Sequence, residues 1–203
     1  MVLSILLVVA NVLGVGMIVP QVVRLAGARG SAGVSGAWVG VGLSLNAWWF
    51  GYGLSTSLWG LLPVATGAAA LYGVMAVLLV RLTGIGALPA IAGGAAVPAL
   101  APLPFLLLDG WPAAGLAIGG AYAIQFAPAA VAAVRSADVS GISPTTWFMA
   151  LVEAAIWFGY GLVMADRALV VGGFGASVAA LIILVRLGAV SGTGRLRPRL
   201  AVG

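Results

Sequence analysis

Trp49-Phe50-Gly51-Tyr52-Gly53-Leu54 is matched 108 residues later by Trp157-Phe158-Gly159-Tyr160-Gly161-Leu162, the same six residues in the same order. The match extends backwards. Residues 20–54 lie over residues 128–162 without a gap, and 12 of the 35 positions are identical, among them Pro20 with Pro128, Gly33 with Gly141 and Ser35 with Ser143. A chain rich in Ala, Gly, Val and Leu gives scattered matches by chance, but not a run of six that includes Trp, Phe and Tyr. The sequence is internally duplicated, and the duplication constrains every further reading of the fold.

Composition decides the solvent. The 203 residues are 63% hydrophobic and 6% charged, whereas a soluble domain carries about 25% charged residues. Such a chain cannot cover a surface exposed to water, so an all-α integral membrane protein is expected, its partner surface the lipid bilayer. The net charge of +5 then reports helix orientation and gives no indication of nucleic acid. The first residues carry no basic n-region and run straight into the repeated segment, so they are read as a first span, not as a cleaved signal.

A hydrocarbon core about 30 Å thick takes about 20 apolar residues per helix. Charges and Gly/Pro/Ser clusters divide the chain into seven expected spans, near 2–23, 37–54, 58–80, 87–108, 112–134, 145–163 and 169–187. With seven spans, Arg24, Arg29, Arg81, Arg135, Arg186, Arg195, Arg197 and Arg199 share one side, and only Arg167 lies on the other, beside Asp166. The positive-inside rule makes the arginine-rich side cytoplasmic, with the N-terminus outside and the C-terminus inside.

The duplication accounts for the odd number. Each copy is a three-helix unit, and an odd unit reverses side, so two copies that point the same way need one helix between them. The expected organisation is 3+1+3: a first repeat over 1–82, a linker helix over 83–110 that holds Pro89, Pro98, Pro102 and Pro104, a second repeat over 111–188 and a basic tail over 189–203. Leu79-Val80-Arg81-Leu82 resembles Leu184-Val185-Arg186-Leu187 at an offset of 105, so about three residues were gained or lost after Leu54. Gly36-x-x-x-Gly40, Gly115-x-x-x-Gly119 and Gly51-x-Gly53 suit close helix packing, since lipid supplies no hydrophobic drive to pair helices.

Polar groups inside the spans are few: Asn11, Gln21, Asn46, Thr66, Gln125 and Glu153. Glu153 is the only acid within a span. Ionised at mid-bilayer, a carboxylate costs about 2.5–3.5 kcal/mol even on insertion scales, so Glu153 is expected to face a cavity, a partner or a proton. It precedes Trp157 by four residues, and Asn46 precedes Trp49 by three, so each polar group shares a helix face with an indole. Trp49 and Trp157 lie too deep for the interfacial belt that suits Trp38, Trp59, Trp111 and Trp147. Both are candidates to line a pocket. Pro20 and Pro128 fall late in the first helix of each copy and are expected to kink it, as matched hinges or as fixed bends.

Pro20-Gln21, a short basic loop, Ser31 to Ser35, then Trp49-x-x-Tyr52-Gly53 resemble the PQ-loop/SWEET family. The second copy resembles it through Pro128, Ser140-Gly141-Ile142-Ser143 and Trp157-x-x-Tyr160-Gly161. The resemblance implies two three-helix bundles around one pathway in a single chain and transport of a small solute by alternating access. A sugar uniporter is favoured, with Trp49, Trp157, Asn46, Glu153 and Thr66 at the solute and Pro20, Gln21 and Pro128 at the hinges. A bacterial cytoplasmic (plasma) membrane is the expected location. This sequence departs from the family in three places. The sugar-contacting Asn of each third helix has no match near Thr66-Gly67 or Gly172-Gly173. The second copy reads Pro128-Ala129. Trp38 and Thr146 stand where second-helix prolines are expected.

The solute therefore stays open. A proton-coupled exporter of amino acids or other small metabolites, with Glu153 carrying the proton, is an alternative, and so is a non-transporting receptor or scaffold. With no Cys, His or Lys, no nucleophile–base pair, usual zinc site or Schiff-base lysine can be assembled. An enzyme is not expected, nor a cofactor or metal. Assembly with further copies of the chain is left open.

Overall fold

A computed structural model describes residues 1–27, 34–136, 138–139 and 142–195, excepting the side chains of 191–195. Arg29, Ser31, Gly33, Ser140, Gly141, Arg197 and Arg199 of the motifs and charges above lie outside the described residues. The described chain is helical, without strands. The helices are α1 (Val2–Gly16), α2 (Val19–Gly27), α3 (Gly36–Ser55), α4 (Leu62–Thr83), α5 (Leu88–Leu100), α6 (Leu103–Ile124), α7 (Ala127–Arg135), α8 (Pro144–Val163) and α9 (Arg167–Arg195). Short 3-10 turns at Trp59–Leu61 and Ile85–Ala87 lead into α4 and α5. Five helical stretches are long and apolar enough to cross a membrane: Val2–Gly27, Trp59–Thr83, Leu103–Arg135, Pro144–Val163 and Arg167–Val190. Outward residues such as Val8, Val12, Leu107, Leu108 and Val185 are apolar, as a membrane-embedded protein requires.

The two spans expected at 2–23 and 112–134 are each broken. Helix α1 stops at Gly16 and α2 resumes at Val19; α6 stops at Ile124 and α7 resumes at Ala127. The cause is the same in both. A proline has no N–H and its ring collides with the carbonyl four residues back. For Pro20 and Pro128 those carbonyls belong to Gly16 and Ile124, the last residues before each break. Both prolines then sit at the second position of the following helix, where no N–H is required.

The caps of α3 and α8 repeat with the sequence. Ser35 accepts from Trp38 N–H and Ser143 from Thr146 N–H, each at 3.3 Å. At the other ends, Leu58 N–H donates to Gly53 O at 2.9 Å and Asp166 N–H to Gly161 O at 2.8 Å. These bonds close a Schellman turn through Ser57 at φ 58° and Ala165 at φ 51°. A left-handed non-glycine residue costs about 1–2 kcal/mol, and both copies keep it.

Helix α4 packs on both α1 and α3, and α9 packs on both α6 and α8. Across the copies α1 meets α8 and α3 meets α6. Helix α5 lies on α3, where a Cβ on Gly40 would strike Ile91 O and one on Gly94 would strike Ala37 O. Only glycine permits that approach, and Trp48 Nε1–H secures it by donating to Ala99 O at 3.1 Å. Ala99 would otherwise lose a helical partner, because the helix ends at Ala101 and Pro102. A second interruption follows at Gly110, whose φ of 71° a side chain would resist.

The interior divides into three. One cluster joins the copies through Ala10, Trp49, Tyr52, Leu58, Leu61, Ile118, Trp157, Tyr160 and Leu169. A second lies wholly in the first half, around Leu25, Val39, Met75, Leu79 and Ile91. The third lies wholly in the second, around Ala130, Ala133, Ile183 and Leu187. The halves therefore close on each other at the end where α3 and α8 finish and part at the end where α3 and α8 begin.

Candidate functional site

Between the halves lies a chamber of about 40 Å³, lined by Asn46, Trp49, Leu61, Val64, Ala65, Tyr122, Glu153, Trp157, Leu169, Gly172 and Gly173. Its walls follow the duplication. Trp49 and Trp157, Leu61 and Leu169, Val64 and Gly172, and Ala65 and Gly173 are each 108 residues apart. A vestibule of about 510 Å³ adjoins it and shares Asn46, Val64, Tyr122 and Glu153 with it. The vestibule runs to Gln21, Ser35, Thr146 and Trp147, at the end where the two half-clusters part.

The indoles are held by repeated geometry. Trp49 stands edge-on to Tyr52 at 5.9 Å and 79°, and Trp157 to Tyr160 at 6.0 Å and 67°. Both tryptophans are 6% exposed. Tyr122 adds a second perpendicular ring to Trp49, at 6.0 Å and 83°. Position 14, the counterpart of position 122, is glycine. A Cβ there would lie 2.8 Å from Glu153 Oε1 and 2.6 Å from Val64 Cγ2. The absent side chain gives the carboxylate its place. Glu153 is buried, and Oε1 accepts from Trp157 Nε1–H at 2.9 Å, one turn along α8. Asn46 Nδ2 donates to Gly42 O at 2.8 Å, which leaves its second N–H and its Oδ1 for other partners. The ring of Tyr72 lies against Gly42, where any Cβ would collide with it.

At the end away from the vestibule a hydrogen bond joins the two halves. Tyr52 Oη donates to Asp166 Oδ2 at 2.6 Å, while Asp166 Oδ1 caps α9 by accepting from Leu169 N–H at 2.9 Å. The counterpart of Asp166 is Leu58, which cannot cap α4. Asn11 does so from α1: its Oδ1 accepts from Val64 N–H at 2.6 Å and its Nδ2 donates to Gly60 O at 3.0 Å. The counterpart of Asn11 is Gly119, where a Cβ would strike Ala168 O. The copies thus satisfy the same helix start by different means, and only one of the two tyrosines meets a carboxylate.

Of the expected solute contacts, Trp49, Trp157, Asn46 and Glu153 line the chamber together. Thr66 does not. It is exposed on the outer side of α4, and its place in the wall is taken by Val64 and Ala65. The wall pairs keep an offset of 108 through Ala65, whereas setting Thr66-Gly67 beside Gly172-Gly173 supposes 106 there, so the three-residue difference falls later in α4. Gln21 lines the vestibule mouth, and Pro20 and Pro128 are exposed at the kinks. Asn11 is a structural cap. Tyr122, Tyr52 and Asp166 were not among the expected site residues, although the repeated hexamer contains Tyr52 and Asp166 stands beside Arg167. Compared with known proteins, the chain matches no family model and no curated sequence.

Proposed function

We propose that the chain is a membrane transporter that carries a small solute through the chamber by alternating access, on a SWEET-like 3+1+3 arrangement of seven membrane passes. The two passes beyond the five strongly apolar stretches would be α3, whose Asn, Ser and aromatic residues lower its hydropathy, and α5 with the first turns of α6. The observation that carries the reading is the chamber itself. It lies between the halves, with duplicated Trp49 and Trp157 and Leu61 and Leu169 in its wall, a wide vestibule on one side and the Tyr52–Asp166 bond across the halves on the other. A pathway that opens to one side at a time has this form. The vestibule lies on the side of Arg24, Arg81, Arg135 and Arg186, so on the positive-inside rule the conformation is open to the cytoplasm. The matched breaks before Pro20 and Pro128 supply bends at which the halves could rock.

The resemblance makes a sugar the first solute to try, carried as a uniport. A second reading is supported by Glu153, the only carboxylate lining the chamber: a proton-coupled exporter that loads and unloads it in each cycle. Proteoliposome uptake of labelled glucose and sucrose, with and without an imposed pH gradient, distinguishes them. Sugar flux indifferent to the gradient and to Glu153→Gln supports the facilitator. Flux that needs the gradient and stops in Glu153→Gln supports coupling. Saturable binding to the chamber with no flux of any solute would make the protein a receptor and refute both.

A further inference from the structure

The chamber presents one carboxylate, one side-chain amide, one phenol and two indoles to a solute, and no cationic side chain among the described residues. Glu153 is a carboxylate whose one hydrogen bond among the described residues comes from Trp157. Asn46 gives one of its two N–H groups to Gly42 O and keeps Oδ1 as an acceptor and the second N–H as a donor. Trp49 and Tyr122 pack edge to face on each other at 6.0 Å and 83°, and both line the chamber, as does Trp157. No arginine lines the chamber or the vestibule among the described residues, and the chain has no lysine or histidine.

A sugar needs donors and acceptors in alternation around its ring, because each hydroxyl both gives and takes a hydrogen bond. Here the side-chain donors not already used among the described lining residues are few: Tyr122 Oη, the second N–H of Asn46 and Trp49 Nε1–H. An amino acid is best held by a cation for its own carboxylate, and the lining supplies none among the described residues. A cation with no acid group needs what is present: a counter-charge, acceptors and the negative faces of aromatic rings. The chamber also holds about 40 Å³, room for roughly three water molecules at about 10–15 Å³ each. A compact ammonium head fits that space with less parting of the helices than a hexose ring requires.

We infer that the solute is a small organic cation without an acid group, its ammonium or guanidinium head paired with Glu153 between the aromatic rings of Trp49, Tyr122 and Trp157. This assignment rests on the transporter reading and narrows its substrate class. It also gives the buried carboxylate a partner, since an unpaired charge within the membrane is costly and a bound cation offsets it.

The test is uptake of labelled choline, guanidinium and ethanolamine into proteoliposomes of the full chain, beside labelled glucose and sucrose, at one pH and without a gradient. At least one of the three cations enters down its concentration gradient. Its uptake falls tenfold or more in Glu153→Gln, and Glu153→Asp, which keeps the charge, retains more than Glu153→Gln does. The uncharged isostere of choline, 3,3-dimethylbutan-1-ol, fails to compete at tenfold excess. Size-exclusion elution of each variant reports whether it folds. Should Glu153→Gln not fold, competition by the isostere decides alone. Uptake of a sugar with none of the three cations overturns the cation assignment and leaves the transporter reading standing. Silence toward all five solutes sinks the assignment and counts against the transporter reading too. Cation flux unaltered in a folded Glu153→Gln overturns the role of the carboxylate.

Discussion

Tyr52→Phe removes one hydroxyl and leaves the ring that packs beside Trp49. The lost interaction is a 2.6 Å hydrogen bond to Asp166 Oδ2, which ties α3 in the first half to the start of α9 in the second. Hydrogen bonds to charged groups contribute about 1.5–3 kcal/mol. Asp166 keeps its bond from Leu169 N–H, so the change leaves no abandoned carboxylate, and the lower part of that range applies to folding as a whole. The conformation closed at this end loses the full contribution relative to one open there. At about 1.4 kcal/mol per factor of ten, its population relative to the opened form falls by roughly 10- to 150-fold. The chain contains no cysteine, so Ala65→Cys places a single thiol in the chamber wall without a background. Labelling by a membrane-impermeant maleimide added on the Tyr52 side should quicken by roughly tenfold or more when Tyr52→Phe is combined with it. An unchanged rate in a folded double variant would show that this bond does not hold the seal.

Three further outcomes are expected. Asn11→Leu deletes the cap of α4 and leaves Val64 N–H and Gly60 O without their side-chain partner; at about 1–2 kcal/mol for a lost cap, it should lower the melting temperature in detergent by several degrees, and an unaltered melting curve would remove Asn11 from the account. Thr66→Ala should keep solute uptake within about twofold of the unaltered chain, because Thr66 faces outward and surface changes of this kind have little effect; a severe loss would restore it to the pathway. Pro20→Ala should slow turnover more than it weakens binding if the break at Gly16 is a working hinge, and equal losses of both would mean that the bend only supports the fold.

The parts of the molecule legible in the sequence are those the duplication preserved. Trp49 and Trp157 announced themselves through the repeated hexamer, and Pro20 and Pro128 marked breaks that the structure places at the carbonyls their rings exclude. Glu153 was legible because a lone acid within an apolar helix must find a special environment. What stayed hidden lies where the copies differ. Tyr122 is a chamber wall whose counterpart is Gly14, and Asn11 is a cap whose counterpart is Gly119, so comparing the copies exposes neither. The misplacement of Thr66 has a similar cause: Leu79 to Leu82 fixed the total length difference between the copies but not where along α4 it falls. Prolines in the linker were ambiguous too. Pro98 stays inside α5, while the chain breaks at Ala101 and Pro102 and again at Gly110. Tertiary contacts, including the Trp48 bond to Ala99 O, decide among them.

The central claim is that one solute pathway runs between Trp49 and Trp157. The most direct measurement compares the unaltered chain with the double variant Trp49→Ala, Trp157→Ala in proteoliposomes, using labelled choline, guanidinium, ethanolamine, glucose and sucrose. At least one solute should enter down its gradient, and the double variant, still folded by size-exclusion elution, should lose that flux at least tenfold. Full flux in the double variant would place the pathway elsewhere, and a chain inert to all five solutes would contradict the account.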